Sequence, residues 1–138
     1  MDWVTERLPT DGKTPVTRLW ISKRAQKGMN KDAPTTFDSQ LDRWQANGFP
    51  TYLTVSVRAE PFGTWRIGPG GNEFRLLGFF EFGNPDKDPF IAILGGWKPP
   101  RKIYQQWFVE VARVRDTNDW RRVVPQMDVQ DTARRASP

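Results

Sequence analysis

The cations of a stiff loop, Lys98, Arg101 and Lys102 around Pro99-Pro100, are the residues of this chain best suited to chemistry on an anion. Proline fixes φ, so these charges have less conformational entropy to lose on binding. The loop opens into a helical pattern, whose N-terminus favours anions independently. Trp97 stands just before the loop and Tyr104 just after it. Either ring can stack on a nucleic-acid base, a contact that contributes about 1–3 kcal/mol, and Tyr104 can also transfer a proton. Two arginines in strand-like runs, Arg66 and Arg75, offer planar guanidiniums that bind phosphate oxygens in pairs. Each residue also has a plain structural reading. The loop cations can be a solvated turn, Arg75 a surface arginine paired with Glu73 or Glu81, and Arg66 a cover for the apolar surface around Trp65. Tyr104 and Trp97 can simply pack on the sheet.

The chain contains no Cys and no His. That removes disulfides, zinc fingers, thiolate nucleophiles and every Ser-His or Cys-His arrangement. Arginine stays protonated at any working pH, so proton transfer falls to Lys98, with its cationic neighbours, or to Tyr104. Glu81 and Glu110 are the reserve carboxylates. The acidic residues form no cluster that reads as a magnesium or calcium site, so no metal and no other cofactor is expected. Lysine and arginine exceed the acids, 21 to 16, for a net charge of +5. Nucleic acid is the commonest polyanion that such a small basic protein meets. No apolar run approaches the roughly 18 residues of a membrane span. The opening MDWVTERLP lacks the apolar stretch of a signal peptide, and a cytoplasmic protein is expected.

The 138 residues amount to one domain, in which seven Trp and nine Phe offset a modest apolar fraction. Trp3 to Leu8 reads as a strand. Thr14 as cap and Pro15 at the first helical position predict a helix to about Lys27, with Val16, Leu19 and Trp20 on one face. Thr35 or Thr36 caps a second helix bearing Phe37, Leu41 and Trp44, which Asn47-Gly48 stops. Strands follow over Tyr52 to Arg58, Gly63 to Ile67, Phe74 to Phe82 and Phe90 to Trp97. Their short turns favour an antiparallel meander. From Ile103 the stripe of Ile103, Trp107, Val111 and Val114 is helical. The reading is therefore α+β: an antiparallel sheet with two N-terminal helices and a C-terminal helix packed on it. Residues 1–116 form the domain, and 117–138 a polar, mobile extension.

Four stretches carry a family resemblance. DGKTPVTRLW resembles the opening of the first helix in the HigB-like, phage-derived branch of the RelE/ParE toxin superfamily. FGTWRIG resembles the strand of that family that ends in an arginine, FRLLGFFEF its central strand, and ILGGWKPPRKIY its last strand, basic loop and following helix. They occur in the family's order and cover roughly Trp3 to Arg115. The resemblance implies a RelE-like fold and a toxin that cleaves ribosome-bound mRNA, so inhibiting translation, and is neutralised by a cognate antitoxin protein. It implies that Arg75 clamps phosphate, that Lys98 matches a catalytic cation and that Tyr104 matches a site tyrosine. Arg66, Arg101, Lys102 and Trp97 then bind RNA. Several nucleases of that branch use a His, which this chain lacks. Other readings of the same fold are a gyrase inhibitor of ParE type, or a non-catalytic phage or mobile-element protein that binds nucleic acid.

Overall fold

The computed structural model describes residues 4–48, 55–117 and 119–122. Six strands form one sheet: β1 (Val4–Arg7), β2 (Leu19–Ser22), β3 (Val55–Glu60), β4 (Thr64–Pro69), β5 (Phe74–Phe80) and β6 (Phe90–Trp97). Helices α1 (Lys23–Asp32) and α2 (Phe37–Asn47) separate β2 from β3, and α3 (Arg101–Thr117) follows β6. The strand order is β1-β2-β6-β5-β4-β3. The fold is thus α+β, and the expected antiparallel meander runs from β3 to β6.

Two expectations about the N-terminal part are corrected. The sheet is mixed, because β2 lies parallel to β6, with Leu19 opposite Phe90 and Ile21 opposite Ala92. The two helices carry the chain from β2 to the far edge, and the meander brings β6 back beside β2 running the same way. The second correction concerns the helix expected from Thr14 to Lys27. Its middle, Leu19–Ser22, is strand β2, and the first helix starts only at Lys23. The N–H groups of Val16 and Thr17 donate to Gln45 O, at 2.7 and 3.0 Å, so this stretch is tied to α2 instead of coiling on itself. Leu19 and Ile21 join the core beneath α1 and α2, whereas Trp20 packs on the opposite side, which is the period of a strand. The residue that caps α1 is Ser22: its Oγ accepts from Ala25 N.

The sheet has a core on each face. Leu19, Phe37, Leu41, Trp44, Phe74, Leu76, Phe80 and Phe90 fill the side of α1 and α2. Edge-to-face contacts order them, Phe37 on Phe74 at 5.4 Å and Phe80 on Phe90 at 5.1 Å between centroids. On the other face Leu77, Phe79, Ile91 and Leu94 meet Tyr104, Phe108 and Val111 of α3. Trp120, in the 3-10 turn Asp119–Arg122, is 1% exposed and packs edge-on against Phe79. The core therefore reaches past Asp116 into the segment assigned to the extension; residues 123–138 lie outside the described residues, as do Trp3 and the Tyr52–Thr54 part of the third expected strand.

Between β5 and β6 the register slips. Gly78 pairs with Ala92 and Leu77 with Leu94, so Ile93 is an extra residue in β6. Ser22 Oγ donates to its carbonyl at 2.6 Å. The bulge turns Gly95 toward α1, and there the backbones touch: a Cβ on Gly28 would lie 1.8 Å from Gly95 O. No side chain can yield in that contact, because the obstacle is a strand carbonyl. Gly28→Ala is therefore expected to lower the stability by about 3 kcal/mol or more, read as a reduced urea midpoint. Gly71→Asn, at φ 71° in open space, is expected to cost under about 1 kcal/mol. Equal costs for the two variants would rule out the close helix-strand packing.

Candidate nucleic-acid site

Beyond the bulge, β4, β5 and β6 place Arg66, Arg75 and Gly96 on the face that α3 covers. Arg75 lies opposite Gly96 in the register, and glycines make room for its guanidinium and for the Trp107 ring beside it. A Cβ on Gly68 would come within 3.0 Å of Arg75 Nη1, and one on Gly96 would lie 3.3 Å from the Trp107 ring. Arg75 Nη1 donates to Asn72 O at 2.5 Å and to Phe74 O at 2.9 Å. Its Nη2 stands 3.9 Å from Glu73 Oε2. Glu73 is the partner that a purely structural reading names, but the Arg75 side chain is only 14% exposed. It is not a surface arginine.

Arg66 lies one strand further out, 16% exposed, with Nε 3.8 Å from Glu60 Oε1 at the end of β3. Tyr104, in the second turn of α3, closes over this group. It is 6% exposed and stacks obliquely on Phe108, with centroids 4.7 Å apart. Lys98 Nζ lies 5.8 Å from the centre of the Tyr104 ring, a cation–π contact made from the loop. Lys98 N–H in turn donates to Glu73 O at 2.9 Å, which fixes the loop against the start of β5.

Three polar atoms of this group, Arg66 Nε, Arg75 Nε and Tyr104 Oη, are buried without a hydrogen-bond partner. Buried donors are normally paired, so their concentration in one place suits a site that completes its bonding with a ligand. Burial raises the Tyr104 pKa above its usual 10.0, and the Glu60 carboxylate adds to the effect; Arg66, by charge and by an approach that falls short of full hydrogen-bond geometry, and Arg75 oppose it. The shift favours the protonated phenol, a state that suits a proton donor.

Arg66, Arg75, Lys98 and Tyr104 are therefore brought together. Arg101 and Lys102 stand exposed in the first turn of α3, at the rim of the same end of the sheet. Trp97 does not pack: it is 54% exposed beside the loop. Neither reserve carboxylate belongs here. Glu81 is buried past the far end of β5, and Glu110 pairs with Arg24 of α1. Glu60 takes their place, and the sequence reading missed it by ending β3 at Arg58. The signal was present: with Pro61-Phe62-Gly63 as the turn, Glu60 sits opposite Thr64, one cross-strand diagonal from Arg66. Among the described residues no group of three or more Asp or Glu side chains gathers that could hold a metal ion. Asp88, in the β5–β6 turn, accepts from the N–H groups of Phe82 and Asn84, at 2.8 Å each.

The chain matches no family model, no curated protein and no solved structure. The arrangement must be read on its own chemistry: two guanidiniums and a phenol facing inward, a carboxylate beside them, and exposed cations at the rim. No helix among the described residues is long and apolar enough to cross a membrane.

Because Tyr104 Oη is buried and unbonded, Tyr104→Phe is expected to match or exceed the wild type in stability at neutral pH. The folded state holds the phenol proton more tightly than the unfolded state does. Its contribution is complete below pH 10 and is lost as pH rises through the raised folded pKa. Urea denaturation at steps from about pH 8 to 11 is expected to show alkaline destabilisation in the wild type and a shallower fall in Tyr104→Phe. A large loss of stability in that variant at neutral pH would mean that the hydroxyl is bonded after all.

Proposed function

We propose that the chain is an endoribonuclease of RelE-like toxin type, cutting mRNA on the ribosome without a metal and held in check by a cognate antitoxin. The observation that carries this reading is the inward-facing trio of Arg66 Nε, Arg75 Nε and Tyr104 Oη, unpartnered beneath the Lys98 loop. The antiparallel run from β3 to β6 and the helix α3 after the basic loop support it, whereas DGKTPVTRLW, which resembles a helix opening, leads into strand β2. The parallel join of β2 to β6 departs from the antiparallel sheet that the resemblance implies.

In the proposed reaction a ribose 2′-oxygen attacks its own phosphorus and the P–O5′ bond breaks, leaving a 2′,3′-cyclic phosphate and a 5′-hydroxyl. Arg75 and Arg66 hold the non-bridging oxygens and stabilise the charge that grows on them. Glu60 accepts the 2′-hydroxyl proton. Tyr104, protonated at neutral pH, gives its proton to the departing 5′-oxygen. Lys98 steadies the phosphate from the loop, Arg101 and Lys102 hold flanking phosphates, and Trp97 offers a stacking face. Tyr104 is only 6% exposed, so productive contact needs an outward shift of the start of α3, which follows Pro99-Pro100.

Purified protein added to ribosomes translating a defined mRNA is expected to produce new 5′-hydroxyl ends, in the presence of EDTA as in its absence. Arg75→Ala and Lys98→Ala should each slow the cleavage about 100-fold or more. Glu60→Gln should slow it without weakening RNA binding. Intact transcripts with the wild-type protein, or unchanged rates in both cation variants, would sink the assignment.

A further inference from the structure

The turn between β3 and β4 carries a feature that RNA cleavage does not use. Phe62 has φ 65° and ψ 28°, and it is the only non-glycine residue with positive φ among the described residues. A side chain with a Cβ is strained in that region, and Phe62 also leaves its ring 61% exposed. Glycine or asparagine would fit the turn better on both counts. Arg115 of α3 holds the strained turn in place, its Nη1 donating to Phe62 O at 2.5 Å. Next to the ring, Val109, Ala112, Arg113, Arg115 and Asp116 line a groove of about 370 Å³. Val109 is itself 42% exposed.

We propose that this groove is a docking site for an acidic, amphipathic helix of a partner protein. The ring of Phe62 and the aliphatic floor of Val109 and Ala112 suit apolar side chains spaced along one helix face. At the rim Arg113 suits a carboxylate on the flank of that helix, while Arg115 already donates to Phe62 O and to Asp116 Oδ1, the latter at 3.1 Å. A nucleic acid fits less well. The aliphatic floor of Val109 and Ala112 offers a base nothing to bond. A local conformation held against its own strain is a common mark of a recognition element.

The test uses a fluorescein-labelled synthetic helix with leucines at i, i+3, i+4 and i+7 and glutamates elsewhere, and a twin with lysines in place of the glutamates. Anisotropy titrations are expected to show the glutamate peptide binding at least about tenfold more tightly than its twin. Phe62→Gly should weaken that binding about tenfold or more while melting no lower than the wild type, which separates loss of the ring from loss of the fold. Val109→Ser should also weaken it. Phe82→Ser, which removes another exposed ring at 62%, should bind as the wild type does. RNA cleavage is expected to be unaffected by Phe62→Gly, so the groove and the proposed catalytic site fail independently. Unchanged binding by Phe62→Gly, equal affinity for the two peptides, or displacement of the peptide by an RNA oligonucleotide would overturn the proposal. So would a wild-type dimer in light scattering that Phe62→Gly abolishes, because the occupant would then be a second copy.

Discussion

Two backbones in contact, α1 at Gly28 and β6 at Gly95, set the geometry of both faces of the sheet. The approach is closer than side chains allow, and it is anchored at the start of α1 by Ser22, whose hydroxyl caps the helix and reaches the carbonyl of the bulged Ile93. Bulge and cap therefore depend on each other. The extra residue in β6 exposes a carbonyl for Ser22, and Ser22 holds α1 where only glycine can lie beneath it. The same extra residue shifts the alternation of β6, so that Gly96 falls on the side of α3, opposite Arg75, and leaves room for the Trp107 ring. Arrangements at the candidate site thus follow from a contact on the opposite face.

That site is organised against ordinary solvation. Arg66 and Arg75 lie beneath a helix with most of their surface covered, and the nearby carboxylates, Glu60 at 3.8 Å and Glu73 at 3.9 Å, stand beyond tight ion-pair distance. Burying charge without full pairing is unfavourable, and the deficit is what an anionic ligand would make good. Tyr104 belongs to the same balance. Burial outweighs two neighbouring cations and keeps the phenol neutral.

Much of this was readable from residue order. The strand over Phe90–Trp97, the stop at Gly48 and the helix after the proline pair follow from local chemistry that nothing nonlocal opposes. The segment from Thr14 to Ser22 was not readable, because Val16, Leu19 and Trp20 have helical spacing while the partners that make β2 a strand, Phe90 to Ala92, lie some seventy residues away. The bulge was equally hidden: in Ile93-Leu94-Gly95-Gly96 no alternation of polar and apolar residues says which glycine faces which helix. At the site, the cations were legible by type and the loop by its prolines. Glu60 was missed because a strand end was set two residues early, and the burial of Tyr104 depends on a sheet surface that no single segment contains.

The parallel seam between β2 and β6 has a consequence for how the protein is made. Ser22 and Ile93 are 71 residues apart in the chain, and α1 rests chiefly on β6. During synthesis Leu19 and Trp44 lack their Phe90 contacts until the polypeptide has nearly reached its last helix. Closing this seam is then a late event, governed by loop closure across about half of the chain, and a product cut short before Phe90 leaves Leu19 and Trp44 without their strand partner.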